Sequence, residues 1–166
     1  MAFNGNGNFT RNNNGQRNGY REDPMKEYEN IIKKDDIYGE EYVDAAEKVM
    51  LIVKEYNDNK KKKKRKAELL TTSKIRNIMS MMAEIYNEAM ENDESLSGDT
   101  KSRIEYLRMR IVYEAGRENA VKVFVTAAKL LDGLKDVKGS KERFVQFYHY
   151  MEALVAYFKY YGGQEQ

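Results

Sequence analysis

The sequence predicts an all-α protein: a compact bundle of about five helices behind a disordered, Asn/Gly-rich N-terminal head. Three observations carry this. Apolar residues recur at spacings of three and four in segment after segment from about residue 40 onward. The single proline is Pro24, so nothing after it forces a break. No run of alternating apolar and polar residues bracketed by turn signals suggests a strand.

The head comes first. Among the first twenty residues are seven Asn and four Gly, with only Phe3, Phe9 and Tyr20 as aromatic side chains. So little apolar surface does not offset the entropy of ordering the segment, and residues 1–39 are expected to form a disordered low-complexity head. The helical domain is expected over 40–163, with a short tail at 164–166.

In the first helix, expected over Glu40–Tyr56, one face carries Tyr42, Ala45, Ala46, Val49, Met50, Val53 and Tyr56. Asn57, Asp58 and Asn59 favour turns over helix interiors and are expected to end it. Lys60 to Lys66 follow, seven basic residues in seven positions, whose mutual repulsion predicts an extended or loosely helical linker. A second helix opens at Thr71, Thr72 or Ser73 and buries Ile75, Ile78, Met79, Met82, Ile85, Tyr86 and Ala89. Residues 91–100 (ENDESLSGDT) read as an exposed loop, with Asp99 or Thr100 capping a third helix over Lys101–Arg117. A fourth is expected over Asn119–Leu131, with Val121, Phe124, Val125, Ala128 and Leu131 inward. Gly133 and Gly139 bracket the next loop. The fifth runs from Ser140 to Tyr161, buries Phe144, Phe147, Tyr148, Met151, Leu154, Val155 and Phe158, and stops at Gly162 and Gly163.

Composition removes whole classes of chemistry. The chain has 166 residues, 34% of them charged, and a mean hydropathy of -0.84. Zero Cys excludes thiol catalysis, disulfides and Cys-ligated metal, and the lone His149 leaves no His pair for zinc. No phosphate-cradling or nucleophile-elbow glycine motif is present. Glu114 and Glu118 stand one turn apart without a His ligand and read as partners for nearby Arg; His149 reads as packed among Tyr148 and Tyr150. No enzymatic activity, metal or cofactor is expected. No apolar stretch reaches the ~18 residues of a membrane span and no secretory h-region opens the chain, so a cytoplasmic protein is expected.

The charge is informative once located. The 29 basic and 27 acidic residues nearly cancel, yet removing the run at 60–66 leaves 22 basic against 27 acidic. The run reads as a solvated linker or a non-specific polyanion contact, with Lys64, Arg65 and Lys66 as candidate contacts. On the third helix, Arg103, Tyr106, Arg110, Tyr113 and Arg117 are spaced 3, 4, 3 and 4. At about 100° per residue they share one stripe about 80° wide, nearly opposite Ile104, Leu107, Ile111 and Ala115. Arg grips phosphate bidentately, and Tyr offers a stacking plane or a hydroxyl. The same pattern also fits Arg–Glu surface pairs or a second packing face. Lys74 and Arg76 sit in the first turn of the second helix, where a docked phosphate would relieve the unfavourable meeting of cations and helix dipole; ordinary solvated charge is the alternative. The last helix holds Tyr148, Tyr150, Tyr157, Tyr160 and Tyr161, more aromatic surface than one core needs, which points to a protein partner.

Three long segments, LLTTSKIRNIMSMMAEIY (Leu69–Tyr86), RIEYLRMRIVYEAGRE (Arg103–Glu118) and YMEALVAYFKYYGG (Tyr150–Gly163), resemble the small subunit of type III-A CRISPR–Cas effector complexes, the Csm small-subunit family. The resemblance spans about Glu40 to Gly163. It implies a small all-helical protein without catalytic activity, stacked head to tail in copies as the inner filament of a ribonucleoprotein used in antiviral defense. Its neighbours would be the backbone subunits holding the guide RNA and the large subunit, and its basic side chains would touch mainly the target RNA backbone. Cutting of target RNA is implied for the backbone subunit, and DNA cutting and cyclic oligoadenylate synthesis for the large one. By position Lys74, Arg76, Arg110 and Arg117 match the family's basic residues, while the long head and the length of the lysine run depart from it. In such a complex base pairing reads sequence, so protein subunits need only sense backbone and duplex shape. A helical adaptor that binds only protein, its basic stripe merely solvated, is the alternative function.

Overall fold

The computed structural model describes residues 24–65, 68–91 and 95–163, and over these the chain is all helical. Two short 3-10 turns, Lys26–Tyr28 and Lys34–Ile37, precede six α-helices: α1 (Tyr42–Lys62), α2 (Thr72–Glu91), α3 (Gly98–Arg117), α4 (Asn119–Ala127), α5 (Leu130–Asp136) and α6 (Lys141–Tyr160). Helix α6 packs against both α1 and α2, α2 packs on α3, and α4 links α3 back to α1. Helices α2 and α3 run antiparallel. Arg103 near the start of α3 meets Glu84 and Glu88 near the end of α2, while Lys74 at the start of α2 meets Glu118 just past the end of α3.

The packed body begins earlier than residue 40. Met25, Ile32 and Ile37 are buried in the core, so the stretch from 24 to 39 is part of the fold and not of a disordered head. Asp136 holds it down: its carboxylate pairs with Lys34 at 3.2 Å, Lys138 at 3.6 Å and Arg143. The Tyr38 hydroxyl donates to the Gly133 carbonyl, and the Arg143 guanidinium lies 5.0 Å from the Tyr38 ring centroid. The expected head over residues 1–23 lies outside the described residues.

Helix α1 does not end at Asn57. It continues through Asn57, Asp58 and Asn59 to Lys62, so the first three residues of the expected linker are helical. Tertiary bonding overrides local propensity here. Asn57 is buried, and its side chain satisfies both the N–H and the C=O of Leu70. Lys54 and Lys61 pair with Asp58, at 2.8 and 3.8 Å.

Helix α3 starts at Gly98, with Ser97 as its cap: Ser97 Oγ accepts from the Thr100 N–H at 3.0 Å. Thr100, an expected cap, is instead fully buried and hydrogen-bonds Glu88 at 2.8 Å. Leu96, in the expected exposed loop, is also buried.

The expected fourth helix is two helices. Lys129 adopts a left-handed backbone (φ 50°) and separates α4 from α5. Ala127, Ala128 and Leu130 are all fully buried on either side of the break. Gly133 lies inside α5 and not in a loop; a Cβ there would sit 2.5 Å from the Phe147 ring. Ser140 caps α6 and Gly162 (φ +78°) ends it, both as the sequence predicts. Phe124, Phe144, Phe147 and Met151 are fully buried at the centre, and so is Tyr150, whose hydroxyl donates to the Ala128 carbonyl at 3.2 Å. Tyr150 is therefore core and not spare aromatic surface.

Candidate nucleic-acid interface

The core side of α3 is as predicted, with Ile104, Leu107, Ile111 and Ala115 buried. That fixes the rotation of the helix and turns the Arg/Tyr stripe outward: Tyr106 is 59% and Tyr113 53% exposed. The tyrosines are not a second packing face.

At the C-terminal half of the stripe the side chains form one ladder. The guanidinium groups of Arg110 and Arg117 each lie 5.5 Å from the Tyr113 ring centroid, one from the preceding turn and one from the following turn. Glu114 supports both, 3.1 Å from Arg110 and 3.6 Å from Arg117. One carboxylate between two guanidiniums leaves a net positive charge, and Arg117 remains more than half exposed. With Tyr113 between them and only Glu114 as acceptor among the described residues, the two forks keep N–H groups available for a second acceptor, such as a phosphate oxygen. Arg103, two turns back, is already bound by Glu84 at 3.1 Å and by Glu88. The Thr100 hydroxyl and Arg103 together hold the Glu88 carboxyl below its usual range.

The basic entry of α2 does not form one cluster. Lys74 is four-fifths buried; its ammonium donates to the Leu69 carbonyl at 2.8 Å and pairs with Glu118 at 2.5 Å. It ties the start of α2 to the junction of α3 and α4, close in sequence to Arg117. Arg76 comes two residues later and so projects about 200° around α2, away from Lys74. It is exposed, with no ion pair among the described residues. The structure thus brings Arg110, Tyr113 and Arg117 together, ties Lys74 to Glu118 past the end of α3 with its charge engaged, and leaves Arg76 on another flank. Lys64 is exposed in a left-handed turn, and Arg65 is exposed 3.5 Å from Glu68. Lys66 lies outside the described residues. Lys60 pairs with Glu68 and covers the Tyr56 ring at 5.2 Å, which lowers the Glu68 carboxyl pKa.

Sequence reasoning missed the apolar half of this surface. Met109 and Val112, each 54% exposed, flank the stripe, and Val112 borders a groove of about 580 Å³ lined also by Gly116, Val125, Leu131, Arg117 and Lys122. The signal was present: Met109 and Val112 are apolar residues three apart, off the core face of a charged helix. His149 is exposed at the rim of the stacked Tyr86–Tyr148 pair (centroids 4.1 Å apart) and is not packed. Tyr160 is 79% exposed at the end of α6. No described helix is long and apolar enough to cross a membrane.

Comparison with known proteins gives a consistent result. The family model described as Csm2 Type III-A matches residues 46–164. A Streptococcus thermophilus protein described as "CRISPR system Cms protein Csm2" is 42% identical over 127 residues, covering 76% of this chain and 95% of the relative. A Mycobacterium tuberculosis protein of the same description is 44% identical over 92 residues, covering 55% of this chain and 74% of the relative. One from Enterococcus italicus is 41% identical over 96 residues.

Proposed function

Because the chain belongs to the Csm2 family, the small subunit of type III-A CRISPR complexes, we propose that it is a non-catalytic scaffold whose α3 face contacts the backbone of target RNA. The observation that supports this reading most is the Arg110–Tyr113–Arg117 ladder, exposed, cationic and stiffened by ring contacts. Such a surface binds a sugar–phosphate chain without selecting bases, which is what a guide-directed particle asks of its protein subunits. Arg103 extends the same line toward the start of α3, and Lys64, Arg65 and Lys66 add a second, sequence-independent contact. Copies stack head to tail as an inner filament beside the backbone subunits, in the cytoplasm, in antiviral defense.

Crosslinking target RNA within the assembled particle tests this. Peptides from α3 between Arg103 and Arg117 are expected to carry the crosslinks. A second reading, a helical adaptor that binds only protein, draws on the exposed Met109 and Val112 and on the groove beside Val112. Protein–protein crosslinks through α3, with RNA crosslinks absent from it, would establish that reading instead.

A further inference from the structure

A second concavity has no α3 residue in its lining, so it does not depend on the α3 ladder. A cavity of about 410 Å³ opens between the segment that starts at Pro24, the C-terminal half of α1 and the start of α4. Its size falls within the roughly 300–1,000 Å³ of small-molecule sites. Ile52 and the rings of Tyr28 and Tyr56 give it an apolar, partly aromatic wall. Tyr56 is fixed there by Asn119, whose amide donates to the phenol oxygen at 3.3 Å.

Along this cavity the end of α1 and its C-cap present Glu55, Asn59 and Lys63, with Lys60 on the same helix and Glu27 on the facing segment also in the lining. Glu55, Asn59 and Lys63 are four residues apart, so they form a single row with about 6 Å of rise between neighbours. All three side chains are exposed, and none forms a hydrogen bond or ion pair with another described residue. The row offers, in order, two acceptors from a carboxylate, a donor from an amide and a cation. A ligand that answers it needs two adjacent N–H donors, an acceptor beside them, a flat apolar face and an anionic group further on.

Among the common nucleobases only guanine has that edge: N1–H and the N2 amino group side by side, with O6 next to them. Adenine and cytosine place an acceptor beside their single amino donor, and uracil has one N–H between two carbonyls. We propose that this cavity binds a guanine nucleotide unit. Glu55 accepts from N1–H and N2–H, the Asn59 amide donates to O6, the base lies against Tyr28, and Lys63 meets the phosphate, while Lys60 stays over the Tyr56 ring.

Titration of the purified full chain with GMP, IMP, AMP and guanosine, followed by calorimetry, tests the assignment. GMP is expected to bind most tightly, with IMP about tenfold weaker for want of the N2 donor and AMP weaker still. Glu55→Gln should abolish the preference for GMP over AMP, and Lys63→Gln should make GMP bind no better than guanosine. Both residues are exposed, so unchanged thermal melting is the control for folding. A third arm asks the source: an oligouridylate carrying one guanosine either displaces GMP, which makes RNA the donor of the unit, or fails to, which makes it a free nucleotide. Absence of GMP binding, or GMP binding that Glu55→Gln leaves unchanged, overturns the proposal.

Discussion

Asn57 pairs with both backbone polar groups of Leu70. Its Nδ2 donates to the Leu70 carbonyl at 3.0 Å and its Oδ1 accepts from the Leu70 N–H at 3.0 Å, so one buried amide satisfies both polar groups of one residue. The bond spans the basic run and sets where α2 begins relative to α1.

Asn57→Ala would leave two buried backbone groups unpaired, at a cost of about 2–4 kcal/mol. Chemical denaturation of the purified chain measures this. A loss under about 0.5 kcal/mol would mean that water replaces the amide without penalty.

The Phe147 ring occupies the space where Gly133 lacks a Cβ. Both residues are buried, so Gly133→Ala should cost about 1–3 kcal/mol through overpacking. Gly116 is the control, because a Cβ there meets nothing within 4 Å. Gly116→Ala should stabilise α3 by up to about 1 kcal/mol. Thermal melting should move the two variants in opposite directions.

Lys74 and Arg76 should separate in the same way. Lys74→Ala frees the Leu69 carbonyl and leaves Glu118 alone, for a loss of about 1–2 kcal/mol. Arg76→Ala should change stability by less than about 0.5 kcal/mol. Equal effects on the urea midpoint would contradict the placement of the two side chains.

Asp136 should confer acid sensitivity. The Lys34 hydrogen bond, with Lys34, Arg143 and Lys138 charges around it, holds its carboxyl below the ordinary range. A carboxyl lowered in the folded state adds stability above its unfolded pKa of about 3.9, and that stability is lost as pH falls through the folded value. Wild-type stability should therefore drop below about pH 4, and Asp136→Asn should be less stable near neutrality but flatter across that acid window. Parallel curves for the two proteins would show that the carboxylate is not coupled to folding.

The helices were legible because the bundle is built on period-3.6 burial. Val49, Ile78, Leu107, Phe124 and Leu154 all fall where spacing puts them. What spacing alone does not encode is side-chain bonding at long range. Asn57 carries a turn preference that its bond to Leu70 overrides, and Gly133 reads as a loop until Phe147 is seen against it. Leu96, isolated among polar residues, has no periodic partner to betray its burial. The α3 stripe could be placed on one face from spacing. Which of its cations already have carboxylates depended on α2, whose Glu84 and Glu88 lie 15–19 residues away from Arg103. Lys74 and Arg76 look like one basic cluster in sequence and separate only when helix geometry turns them apart.

The most direct test of the account is the affinity for target RNA of the particle reconstituted with Arg110→Ala/Arg117→Ala. The isolated double variant should stay folded, since both guanidiniums lie on the surface. Target RNA should bind at least about tenfold more weakly, with a salt slope shallower by about two phosphate contacts and no change in sequence dependence. An unchanged affinity and salt slope in a correctly assembled particle would contradict the claim that this face of α3 holds the RNA backbone.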